Sequence, residues 1–106
     1  MNQKDILLRI KEILEAHKGI QNTISSREIE KLLGFRKEDT HVEARTKILE
    51  TIMKYKLPIA ATPAKGYYLV TTKKELDDYT KSLESRINKI NTRKESIIAF
   101  FDDYYK

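Results

Sequence analysis

A chain of 106 residues with no cysteine, 35% charged and 40% hydrophobic, carrying a formal charge of +5, is sized for a single domain with one small core. The missing thiol excludes disulfide staples, thiolate nucleophiles and cysteine-ligated zinc, and suits a reducing cytosol. No apolar run reaches the length of a membrane span, and the first residues, with Asp5 among them, lack the apolar stretch of a signal peptide.

Ile6, Leu7, Ile10, Ile13 and Leu14 recur at steps of three and four, which predicts an amphipathic helix over residues 4–17 stopped near Gly19. His17 at its end reads as a partner of the helix dipole rather than a ligand, since the chain has only one other histidine. Ser25 and Glu28 have capping-box spacing ahead of Ile29, Leu32 and Leu33, so a short second helix follows and ends at Gly34. Phe35 is expected to plug the core below the turn, with Arg36 and Lys37 in reach of a phosphate. Thr40 and Glu43 repeat the capping-box spacing and start a third helix.

At 100° per residue, Val42, Ile48, Leu49, Ile52 and Met53 fall on one side of that third helix. Thr40, Glu43, Ala44, Lys47, Thr51 and Lys54 fall on the other, which becomes the candidate recognition surface. Its chemistry suits base edges and phosphates: Lys47 for guanine acceptors, Thr40 and Thr51 as donors, Ala44 for close approach and Glu43 for cytosine. Arg45 and His41 lean toward the apolar side, and Arg45 is expected to lie over the core beside Glu28 or Glu30. Pro58 ends the helix and opens a hairpin. Its loop runs Thr62, Pro63, Ala64 and Lys65, with Gly66 freeing the turn back and Lys65 at the tip. Tyr67 and Tyr68 point to opposite faces of the second strand, one expected in the core and one exposed.

Thr72 and Glu75 again have capping-box spacing, and no Pro or Gly interrupts the chain beyond them. Leu76, Thr80, Leu83, Ile87, Ile90, Lys94, Ile97, Phe101 and Tyr104 alternate in steps of four and three, a heptad seam of the coiled-coil kind. A helix over those residues would span about 50 Å at 1.5 Å per residue, more than so small a domain needs to cover its own core. Self-association through Leu76, Leu83, Ile87, Ile90, Ile97 and Phe101 is the expected use of the excess, ahead of folding back on the first helix.

Between residues 44 and 74 stand seven Lys or Arg against one acid, Glu50, so the surplus positive charge of the whole chain sits in this stretch. A clustered basic surface is what phosphate binding requires. Nothing points to catalysis: histidines are not paired, no glycine-rich phosphate loop is present, and Asp77-Asp78 and Asp102-Asp103 read as solvated helix surface. No metal or cofactor is expected.

The order of helix, Ile24-Ser25-Ser26 to Leu33-Gly34, a helix bearing Arg45, Leu57-Pro58-Ile59 and Gly66-Tyr67-Tyr68-Leu69 resembles small winged-helix proteins of phages and mobile elements. The hairpin is similar to that of biotin-repressor-type DNA-binding domains. The resemblance covers residues 4–70 and implies a mainly α fold with a small β-hairpin, a winged helix-turn-helix followed by a long C-terminal helix. It also implies duplex DNA as partner, gripped by the third helix and the wing without a cofactor, in transcription regulation or replication. Lys56 stands where such families often have glycine, which implies a third helix running slightly further. The expected division is a winged-helix DNA-binding domain over residues 1–71 and a coiled-coil dimerisation helix over residues 72–106, in a cytoplasmic, nucleoid-associated protein. The alternative is an adaptor that docks a host or replication protein through the C-terminal helix.

Overall fold

Burial of a few branched side chains sets the architecture of the computed structural model, which describes residues 2–34 and 41–106. Three helices come first: α1 (Gln3–Ala16), α2 (Ser26–Leu33) and α3 (His41–Tyr55). A two-stranded antiparallel hairpin, β1 (Ile59–Thr62) and β2 (Gly66–Leu69), leads into α4 (Lys73–Tyr104). This is a mainly helical protein with a wing and a long C-terminal helix. Ile10, Ile13 and Leu14 of α1, Ile24, Ile29 of α2 and Ile48 of α3 form the core, against which Leu57, Ile59 and Tyr67 also pack. Each fully buried side chain of this size contributes about 1.5–3 kcal/mol.

Local chemistry fixes the element ends. The Asn2 side chain accepts from the Asp5 N–H and starts α1. Ser25 and Glu28 form both bonds of a capping box. Gly34, with φ of +72°, ends α2 in the left-handed conformation that glycine adopts without strain. The third helix does not run on: Lys56 takes a positive φ of 54° itself, and the Leu57 N–H reaches back 3.1 Å to the Ile52 carbonyl. That is a Schellman closure with a lysine in the usual glycine place. Phe35, Arg36, Lys37 and Thr40 lie outside the described residues, as does the helix start expected at Thr40.

The hairpin pairs Ile59 with Leu69, Ala60 with Tyr68, Ala61 with Tyr67 and Thr62 with Gly66. The free edge of β2 is covered by the segment between α1 and α2, a pairing with no sequence signal of its own. Ile24 exchanges two backbone bonds with Tyr67, at 2.9 and 2.8 Å, and Leu69 bonds to His17 and Gly19 at 2.8 Å. An edge that would otherwise be open to another strand is thereby closed. The His17 ring nitrogen Nδ1 lies 3.0 Å from the Asn22 carbonyl, so this side chain staples its own loop.

Neither wing tyrosine is exposed. Tyr67 packs against the core and Tyr68 is buried on the opposite face, because the first turns of α4 cover that face of the hairpin. Glu75 makes the junction. Its own N–H is capped by Thr72 Oγ1 at 3.1 Å, while its carboxylate turns back to the segment after α1 and accepts from the Thr71 N–H at 2.9 Å and the Ile20 N–H at 2.8 Å. These two backbone donors hold the Glu75 carboxyl below the ordinary glutamate range. A depressed carboxylate pKa stabilises the fold above the unfolded-chain value of about 4.3, and that contribution is lost as pH falls through the folded-state value. Glu75→Gln is therefore expected to unfold more easily than the parent near pH 7. The gap should narrow below about pH 4.3, as read by thermal melts across that window.

Beyond Arg86, α4 leaves the winged domain behind. It is one helix of 32 residues with no buried residue, and the molecule is drawn out to 58 × 37 × 23 Å. It does not fold back on α1. Among the described residues, no helix is long and apolar enough to cross a membrane.

Candidate nucleic-acid interface

Helix α3 is turned about its axis by roughly a quarter-turn from the orientation its polarity pattern implies. Ala44 and Thr51, expected to face outward, are 1% and 0% exposed, and Lys47 is half-buried. Leu49 and Met53, expected inside, are exposed. The physical reason is size and self-satisfaction. Ala44 lets α3 approach its neighbours closely, and the Thr51 hydroxyl donates to the Lys47 carbonyl at 2.8 Å, so its burial leaves no polar atom unpaired. Ala44 and Thr51 therefore leave the candidate DNA-binding set. The outward surface of α3 is made of Glu43, Arg45, Thr46, Leu49, Glu50, Met53 and Lys54.

Of the remaining expected contacts, Glu43 is exposed and Lys54 is exposed with its ammonium 5.4 Å from the Tyr55 ring centroid. Lys65 is exposed in the wing turn, where its N–H donates to Thr62 Oγ1 at 3.1 Å. Arg36, Lys37 and Thr40 lie outside the described residues, and so do the side chains of His41 and Val42.

Arg45 does not lie over the core. It faces the wing, close enough to Tyr67 that its guanidinium opposes the rise that burial imposes on that phenol's pKa. Together with Lys65 of the wing and Arg86 of α4 it lines a groove of about 490 Å³, floored by Tyr67 and walled by Ser25, Ser26 and Thr62. Three cations from three separate elements meet there. Arg86 also lines a second hollow with Lys89, Ile90 and Arg93, so the positive surface continues from the wing along α4. Among the described residues, no acid forms an ion pair with Arg45, Lys65, Arg86, Lys89 or Arg93. Asp77 and Asp78, in contrast, are bridged along the helix to Lys73 and Lys74 at 3.2 and 3.4 Å.

The contribution of α4 to this track was hidden in the sequence by its even mix of charges. One signal was available: Arg86, Lys89 and Arg93 are spaced by three and four, which puts them on one edge of a helix. Among the described residues, no group of three or more His, Asp or Glu is placed to hold a metal ion.

On the opposite account, the heptad seam is largely bare. Leu76, Ile87, Ile90, Ile97 and Phe101 are exposed, and only Leu83 is half-buried. At the far end, Phe101 and Tyr104 each stack within 5.0 Å of Tyr105, forming a small aromatic cluster in solvent. Neither a protein-family model, nor a curated protein, nor a solved structure matches the chain.

Proposed function

We propose that this chain is a dimeric, sequence-preferring double-stranded DNA-binding protein, a transcription regulator or a phage-type replication accessory. The observation that carries the reading is the groove where Arg45, Lys65 and Arg86 converge with no acid paired to them among the described residues. Isolated charges on a solvated surface are commonplace; unpaired guanidinium and ammonium groups brought into one concavity by a helix, a wing and a second helix fit a phosphate backbone. The outward surface of α3 then meets the major groove, where Leu49 and Met53 suit thymine methyl groups and Glu43 or Glu50 suits a cytosine amine. Phosphate contacts position the protein, and these α3 side chains supply the preference for sequence.

Fluorescence anisotropy with a mixed-sequence duplex tests this. Lys65→Ala and Arg86→Ala are each expected to weaken binding by about three- to tenfold, the roughly 0.5–1.5 kcal/mol scale of one solvent-accessible hydrogen bond. Selection from a random duplex pool is expected to enrich a motif, and Leu49→Ala to relax it. Unchanged affinity in both cation variants removes the reading.

The bare seam supports a second reading, an adaptor that docks another protein on α4. It is favoured if the pool enriches nothing and a partner is lost on changing the seam.

A further inference from the structure

The seam of α4 is flanked by two edges of different chemistry, and their arrangement says how two copies would join. With Ile87 and Ile90 as seam positions, Tyr79, Arg86, Arg93 and Phe100 form one edge, and Asp77, Glu84, Asn91 and Ile98 the other. The winged domain sits on the first edge, since Tyr79 and Arg86 line the hollows between α4 and the wing.

Resting on the dimeric DNA-binding reading, we infer that two copies pair along α4 in antiparallel, full-length overlap. Both winged domains and the basic edges of both helices then face the same side, as one cationic saddle for a single duplex.

Three observations carry this. The middle of α4 (Lys73–Tyr104) falls between Asn88 and Lys89, so full antiparallel overlap sets Ile87 against Ile90, Thr80 against Ile97 and Leu76 against Phe101 of the other copy. The two polar seam residues, Thr80 and Lys94, are thereby kept apart from their own copies and each set against an apolar one. Lys94 meets Leu83, next to Glu84. In a parallel pair, Lys94 would meet the other Lys94 across a core layer, and Thr80 the other Thr80.

The second observation is width. In the middle of α4 only the seam is apolar, since Glu84, Arg86, Asn91 and Arg93 flank it. Over the last turns Ile98, Phe100 and Tyr105 widen the apolar surface to both edges, and all three are exposed. A surface that wide needs more than one helix to cover it. Antiparallel overlap delivers it to the start of the other α4, bringing Phe100 to Tyr79. That ring lines a shallow cleft with Ile20 and Pro63 of the winged domain, and Ile20 is itself exposed.

The third is direction. In a parallel two-stranded coil the two like edges lie on opposite sides of the ribbon, and the winged domains would face away from each other. In an antiparallel coil like edges lie together. Arg86 of one copy then stands beside Arg93 of the other, twice over. This juxtaposition is repulsive in the free dimer but solvent-exposed, where like charges cost little, and phosphates of a bound duplex would relieve it. A Lys94 pair inside the seam has no such relief.

The chain has no cysteine, so introduced thiols report alone. Leu83→Cys and Lys94→Cys are made separately in the full chain and oxidised alone and after mixing and annealing. Antiparallel overlap predicts at least roughly tenfold more cross-linked dimer in the mixture than in either variant alone, because only the 83–94 pair comes within disulfide reach. Efficient cross-linking of each variant by itself, without enrichment on mixing, overturns the inference in favour of a parallel coil and leaves DNA binding untouched. No cross-link in any sample also overturns it. Sedimentation of the same samples then separates a dimer joined elsewhere from a monomer, and a monomer removes the dimeric part of the function reading as well.

Discussion

Gly66→Ala is expected to cost about 3–5 kcal/mol, enough to leave much of the chain unfolded at 37 °C given the 5–15 kcal/mol by which domains of this kind are stable. Two effects add. Gly66 has φ of +107°, a conformation that carries a strain of about 1–3 kcal/mol for a residue with a side chain. The new Cβ would also press into the Ile24 carbonyl oxygen and stand 2.7 Å from its carbonyl carbon and 2.8 Å from Ser25 Cα. All three are backbone atoms, and the paired Ile24–Tyr67 bonds hold them in place, so relief means breaking that bridge and lifting the wing off the core. Gly34→Ala is the matched control. Its φ is also positive, at +72°, but among the described residues nothing lies within 4 Å of the added carbon, so the strain dominates and the cost stays near ~1 kcal/mol. Urea unfolding of both variants checks the contrast. Equal small losses would mean that the wing is not pinned to the segment before α2.

The second large effect is expected at Ile90, near the centre of the bare seam. Ile90→Asp places a carboxylate where two helices are to meet, and each buried unpaired charge costs several kcal/mol. Self-association should weaken by more than about 100-fold in sedimentation equilibrium. Much of the helical signal beyond Arg86 should go with it, since an isolated helix of this length is marginal in water. The melting of the winged domain itself should stay, because residue 90 does not touch its core. Thr92→Asp, on the far side of the same helix, should leave self-association as it was. If Ile90→Asp sediments like the parent, α4 is not the joining surface, whatever its repeat looks like.

Elements were legible because their signals are local. Ser25 with Glu28, Thr72 with Glu75 and Gly34 are cap chemistry readable within a few residues, and the heptads of α4 repeat without interruption. The rotation of α3 is not legible in the sequence, because polarity is not the same as exposure. Thr51 is polar by name yet satisfied within its own helix, and Ala44 is small enough to be wanted at a close helix contact. Leu49 and Met53 are apolar yet left outside. Long-range pairings were likewise silent: nothing near Ile20 announces a bond to Glu75, 55 residues on, and nothing near Ile24 announces Tyr67.

The groove shares that limit. Turn residues put Lys65 at the wing tip, but the helical pattern puts Arg45 over the core and gives Arg86 no role. Their meeting depends on how α3 and α4 lie against the wing, a tertiary fact. The regional charge count over residues 44–74 takes in Arg45 and Lys65 and leaves out Arg86.

The groove is tested most directly by the salt dependence of duplex affinity, compared between the parent and the Arg45→Ala, Lys65→Ala, Arg86→Ala triple variant. With phosphates bound at all three cations, log affinity should fall steeply against log salt in the parent. The triple variant's slope should be shallower by about 2.7, at roughly 0.9 for each contact removed. A parent whose affinity ignores salt, or a triple variant with an unchanged slope, would contradict the account.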